Sequence, residues 1–152
     1  MSIAMTLHII GVIIWVGGMF FAHMVLRPAL NDSLEAPQRL SLLLRVFDGF
    51  FPWVWVAVIA ILASGFWMLF MLYEDNIGLW LGFMTVVGIL MSAIFVFIYV
   101  IPYKQIRVAR KEDDKPKLVE AVSLIRQLIL INLTFGMLVT VVAVVGKYGL
   151  LQ

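Results

Sequence analysis

Leu7 to Pro28 reads LHIIGVIIWVGGMFFAHMVLRP, and this stretch decides the fold. It is long and apolar enough to cross a bilayer, for which about 20 apolar residues suffice. Yet it contains both histidines of the chain, His8 and His23. An ionisable side chain in hydrocarbon is costly, so each histidine marks a candidate functional site. At ~1.5 Å and ~100° per helical residue the two lie roughly 22 Å apart along the axis and only about 60° apart around it. His8, Val12, Trp15, Met19 and His23 therefore share one stripe. The rise between the histidines is too long for them to hold one metal ion or one haem together, so two sites are expected, one near each membrane face. Gly11, Gly17 and Gly18 flank the stripe and would let another backbone or a flat cofactor come close.

Three further apolar runs follow. With the first they predict spans near Ile3 to Leu26, Phe51 to Tyr73, Gly78 to Tyr103 and Leu128 to Leu150. The composition, 64% hydrophobic and 13% charged over 152 residues, is that of a protein held largely in lipid. We expect an all-α, single-domain, polytopic membrane protein, built as a four-helix up-and-down bundle over residues 1–152 with its polar groups turned inward. The first run lacks a basic start and a small-residue exit, so it reads as a permanent span. Ten of the 11 Lys and Arg residues lie in the first and third connections or beside them, with Lys147 alone on the opposite side. This bias predicts both long connections in the cytoplasm and both termini outside. The net charge of +2 thus reports topology. No groove-reading or base-stacking motif points to nucleic acid, and the bilayer is the expected partner, with a homo-oligomer or a larger membrane complex as further assemblies. The absence of cysteine removes thiolate metal sites and iron-sulfur clusters.

Candidate ligands cluster by depth. Met5 and His8 are one turn apart, and Met68, Met71 and Met84 fall at the same expected outer level. Thioether and imidazole together suit copper(I). Deeper lie Met19, Met91 and Met137, and at the inner level His23 with Met24. The inner end also carries Asn132, whose buried amide needs a partner, with His23 or a cofactor edge in reach. Arg39, Arg45 and Arg126 sit there too; arginines at that depth suit an acidic group such as a haem propionate or an anionic lipid. Residues 37–48 read as an interfacial amphipathic helix. Lys104 to Lys117 reads as a solvated charged connection, and Tyr73 to Gly78 as a tight outer turn. No nucleophile–base pair, phosphate loop or carboxylate cluster lies inside the spans, so hydrolase and phosphoryl-transfer chemistry are not expected. A non-enzymatic role is favoured over a haem-dependent oxidoreductase.

Taken together, His8-Ile9-Ile10, Trp15 to His23, Leu26-Arg27-Pro28, Pro37 to Leu40, Phe50 to Trp55, Pro102-Tyr103, Ile125-Arg126 and Asn132-Leu133 resemble the CopD family of copper resistance membrane proteins. The resemblance implies a bacterial inner-membrane protein that handles copper between periplasm and cytoplasm. The opening helix is more distantly similar to that of HemJ-type protoporphyrinogen oxidases, which implies haem b and quinone-linked oxidation. The lysine those enzymes carry in the third span has no counterpart in Trp80 to Met84. CopD relatives often carry third-span histidines where this chain has Gly82 and Phe97. A haem here would therefore need His8 with Met84, or five-coordinate iron. A non-catalytic accessory subunit is the third expectation.

Overall fold

The computed structural model describes residues 2–72 and 78–147. The expected turn at 73–77 and the end of the fourth span at 148–150 lie outside the described residues. Within them the chain forms helices α1 (Ile3–Ser33), α2 (Ala36–Leu72), α3 (Leu79–Val100), α4 (Pro102–Glu112) and α5 (Lys115–Lys147). Four of the helical segments are long and apolar enough to span a membrane, as the hydropathy predicts.

Three helices clearly outrun the bilayer, α1 among them at about 46 Å. At ~1.5 Å per residue, α2 is about 55 Å long and α5 about 50 Å, against a hydrocarbon core of ~30 Å. The expected interfacial helix at 37–48 is therefore not a separate element but the beginning of α2. Pro52 lies inside α2, where it removes one backbone hydrogen bond. The helix continues because its buried face does: Leu44, Phe47, Phe51, Val54, Ala57 and Val58 follow one another at helical spacing on both sides of the proline.

The third connection is also more ordered than its charge suggested. At Ile101 the backbone leaves the helical region (φ −104°, ψ −80°), and Pro102 starts α4. A residue before proline is pushed out of the helical conformation, while proline itself is well suited to a first turn. Along α4, Tyr103, Ile106 and Ala109 are buried. They join Leu118, Ala121, Val122 and Ile125 of α5 in the core, leaving Lys104, Arg107 and Arg110 outward. Asp113 closes α4 in the left-handed region (φ 52°). Asp114 then caps α5, its Oδ1 accepting the Lys117 N–H at 3.1 Å.

α1 packs along α2, and α3 along α5. The pairs meet in an aromatic lattice: Trp15 on α1, Phe51 and Trp55 on α2, and Phe95, Tyr99 and Tyr103 on α3 and α4. Edge-on contacts link Trp15 to Phe95 (6.2 Å), Trp55 to Phe95 (5.2 Å) and Phe51 to Tyr103 (4.8 Å). In lipid, helix association depends on such close packing because hydrophobic burial supplies little there. Trp15 and Met19 are each 3% exposed, so the stripe of α1 faces the interior as its spacing predicted. Two widened turns of π type, Ile13–Gly17 and Ala22–Leu26, interrupt α1, and His23 lies in the second. Such turns re-aim side chains and recur at functional sites.

Candidate functional site: a held imidazole at one end, a cationic cleft at the other

His8 stands where the first turns of α1 cross α2. Its Nδ1 is 3.2 Å from the Ile61 carbonyl and 3.1 Å from Ser64 Oγ. A carbonyl only accepts, so Nδ1 carries the proton and donates. The hydroxyl agrees, because Ser64 Oγ gives its own hydrogen to the Ala60 carbonyl. The tautomer follows: Nε2 holds the free lone pair, and among the described residues no hydrogen-bond partner meets it. A carbonyl on one ring nitrogen and a lone pair on the other is the arrangement by which proteins orient a metal-binding histidine. Gly65 makes the room, since a Cβ there would stand 3.3 Å from His8 Cε1.

Met5, one turn before His8, and Met68, one turn beyond Ser64, are half-buried on the same two helices. Met84 is half-buried too, but it stands on α3, which pairs with α5 instead of with the His8 segment. Met71 is 67% exposed and Met24 53%, so neither joins an interior site. Met19 is buried in the core.

The other end of α1 has the opposite chemistry. His23 lines a cleft of about 30 Å³ with Arg27, Leu43, Val46, Phe47 and Arg126. Arg39 lies near, its Nη1 donating to Asn31 Oδ1 at 2.7 Å, and its charge and that of Arg27 act on Arg126. Among the described residues the ion pairs are Arg110–Asp48 and Lys117–Asp114, so none of these three arginines has a carboxylate partner. The Nε of Arg126 is buried without any hydrogen-bond partner. Two guanidinium groups beside His23 oppose a metal cation there. Arg45 is exposed on α2 and does not line the cleft.

Asn132 does not reach His23. Its Nδ2 donates to the Met91 carbonyl on α3 at 3.1 Å, and its buried Oδ1 has no partner. The glycines expected to admit a cofactor mostly admit α2. A Cβ on Gly11 would lie 3.1 Å from the Ala57 carbonyl oxygen, and one on Gly18 would strike the Phe50 ring.

A third constellation escaped the sequence reading. Asp48 of α2 accepts the Tyr103 hydroxyl at 2.7 Å and an Arg110 Nη1 hydrogen at 2.9 Å, while Arg107 sits 5.0 Å above the Tyr103 ring. Its signal was available: Asp48 is the sole acid in Ala36–Leu72.

A haem fits poorly. Cofactor sites occupy roughly 300–1,000 Å³, and the cleft at His23 is about 30 Å³. The larger groove, about 370 Å³, is lined by Val100, Ile101, Lys104, Val108 and Lys117 among others, with neither histidine nor methionine to ligate iron.

A four-span helical membrane bundle with one oriented imidazole and one cationic cleft is the class these observations define. The family model described as Copper resistance protein D matches residues 44–146, and the chain belongs to that family, CopD. The matched stretch starts within α2, so it contains Ile61, Ser64 and Gly65 and leaves both histidines before it. No curated protein and no solved structure matches the chain.

Proposed function

We propose that this protein handles copper, taking up copper(I) at His8 as the first site of a path from the periplasmic to the cytoplasmic side. The observation that supports it is the protonation state imposed on His8: Nδ1–H is committed to Ile61 and Ser64, and Nε2 is left as a ligand. Met5 and Met68, on the same two helices, are the thioethers available to complete a soft set. A neutral imidazole and thioethers bring no negative charge, which favours a monovalent ion held loosely enough to be passed on. The charge bias of the connections orients the His8 end outward.

The full chain, purified in detergent and loaded anaerobically with copper(I), tests this. Bound copper per chain should fall to background in His8→Ala and persist in His23→Ala. Equal copper in the wild type and His8→Ala, or none in either, would overturn the reading. An absorption spectrum of the same sample addresses the haem alternative, which predicts a Soret band.

A further inference from the structure

At the far end of α1, four observations converge. Arg27 and Arg126 come from helices distant in sequence, α1 and α5, and line one cleft with His23. Arg39 of α2 adds a third guanidinium within electrostatic range. No acid lines the cleft, and the nearest acid of α2, Asp48, is committed to Tyr103 and Arg110. Finally, the Arg126 Nε–H is shut away from solvent with nothing to bond.

A buried donor left unpaired is costly, and the cost is higher when the group is charged. Three like charges gathered without a counter-charge repel one another as well. A protein keeps such a cluster when something outside the chain completes it. The group must be an anion with several oxygens in a compact head, because the cleft holds only about 30 Å³ while its two guanidinium groups come from different helices. Tetrahedral phosphate meets that description and pairs with the guanidinium fork through two parallel bonds. The rest of the lining includes the apolar Leu26, Leu43, Phe47 and Ile129, which suits a head that arrives attached to acyl chains.

We infer that the cleft of His23, Arg27 and Arg126, with the Arg39 charge acting on it from α2, binds one phosphate-bearing anion, whose oxygens complete the Arg126 guanidinium and bridge α1 and α5. The shared chemistry is the phosphate oxyanion, and two sources carry it: an anionic phospholipid headgroup and free phosphate. The site is independent of copper uptake at His8, which lies at the other end of α1.

The test uses the full chain in detergent, titrated in native mass spectrometry with phosphatidylglycerol and separately with phosphatidylcholine, and by phosphorus NMR with inorganic phosphate. One phosphatidylglycerol should be retained per chain in preference to phosphatidylcholine. Arg126→Gln and Arg39→Gln should each weaken retention about tenfold or more, with Arg45→Gln, outside the cleft, within about twofold of the wild type by the same comparison. Arg126→Lys should recover only part of the loss, because it restores charge without the fork. Saturable inorganic phosphate binding that competes with phosphatidylglycerol assigns the free anion as a source and supports the same site. Circular dichroism identifies any variant that has failed to fold, and Arg39→Gln, at a half-exposed position outside the cleft lining, then carries the comparison. Phosphatidylglycerol retention unchanged in both Arg126→Gln and Arg39→Gln, or retention equal to that of phosphatidylcholine with no phosphate bound, overturns the inference. His8→Ala should leave these readings unchanged, so failure here and failure of the copper reading are separable.

Discussion

Replacing Ser64 by alanine separates the two things a hydrogen bond to a metal-binding histidine can do. The hydroxyl is one of two acceptors for His8 Nδ1–H, at 3.1 Å, and the Ile61 carbonyl at 3.2 Å stays in place when it is removed. Side-chain hydrogen bonds between membrane helices average about 0.6 kcal/mol and reach roughly 1.7. Here the surviving carbonyl keeps the donor satisfied, so the loss of stability should sit at the lower figure. Copper affinity should respond more. The ring would be tethered at one point instead of two, and loss of an outer-shell partner costs about 10- to 100-fold in metal affinity. Competition against a chromogenic copper(I) chelator under anaerobic conditions gives the affinity, and thermal unfolding in the same detergent gives the stability. We expect at least tenfold weaker copper binding with unfolding shifted by only a few degrees. Affinity unchanged within about twofold would show that Ser64 does not orient a ligand. A large loss of stability would show that it is chiefly a packing residue, and either result refutes the reasoning.

Asp48→Ala removes both the Tyr103 and the Arg110 bonds. The ion pair is 36% and 40% exposed and worth little, so the expected loss of about 1–2 kcal/mol comes mainly from the charged bond to Tyr103, and Tyr103→Phe should reproduce most of it in thermal unfolding. Gly17 and Gly18 are adjacent but not equivalent. A Cβ on Gly17 meets nothing within 4 Å, whereas one on Gly18 strikes Phe50. Gly17→Ala should be neutral or slightly stabilising and Gly18→Ala destabilising by about 1–3 kcal/mol; equal behaviour in unfolding assays would contradict the packing described. The Lys117 side chain and backbone N–H both bond the Asp114 carboxylate and hold it below the usual carboxylate range. A carboxyl depressed by folding stabilises above its unfolded pKa and loses that effect as pH falls through the folded one. The Lys117 amide should thus stay protected from exchange at neutral pH and lose protection only under acid conditions, whereas protection in Asp114→Ala should be low throughout.

What could be read from the sequence divides along physical lines. The four spans were legible because hydropathy is a sum over 20 residues and tolerates local exceptions. The joining of residues 37–48 to the second span was not, because Gly49, Pro52 and two arginines interrupt hydropathy while Leu44, Phe47, Phe51 and Val54 keep the buried face unbroken. The inward stripe from His8 to His23 follows from helical geometry alone. The partners of His8 do not, since Ile61 and Ser64 depend on α2 being the helix that packs beside α1 and on Gly65 setting the depth of contact. Periodicity gives a face but not which helix meets it. The same holds for Asn132, whose depth was consistent with reaching His23 but whose face turns to α3 and Met91.

The two histidines, alike in sequence context, are opposed in charge environment. At His8 the neighbours are a carbonyl and a hydroxyl, a setting that accepts a cation without demanding one. At His23 they are guanidinium groups, a setting that demands an anion. Between them the stripe is closed by Trp15 and Met19, each 3% exposed and packed in the core. On the proposed copper reading, an ion leaving His8 along α1 would meet a packed stretch and then an electrostatic barrier. Passage to the second histidine would require α1 to move against α2 and α5, and the barrier beyond would be lower with an anion already seated beside Arg126. The widened turns at Ile13–Gly17 and Ala22–Leu26 flank that closed stretch. Helical hydrogen bonding is weakest in such turns, and they are where α1 could change register with least disruption.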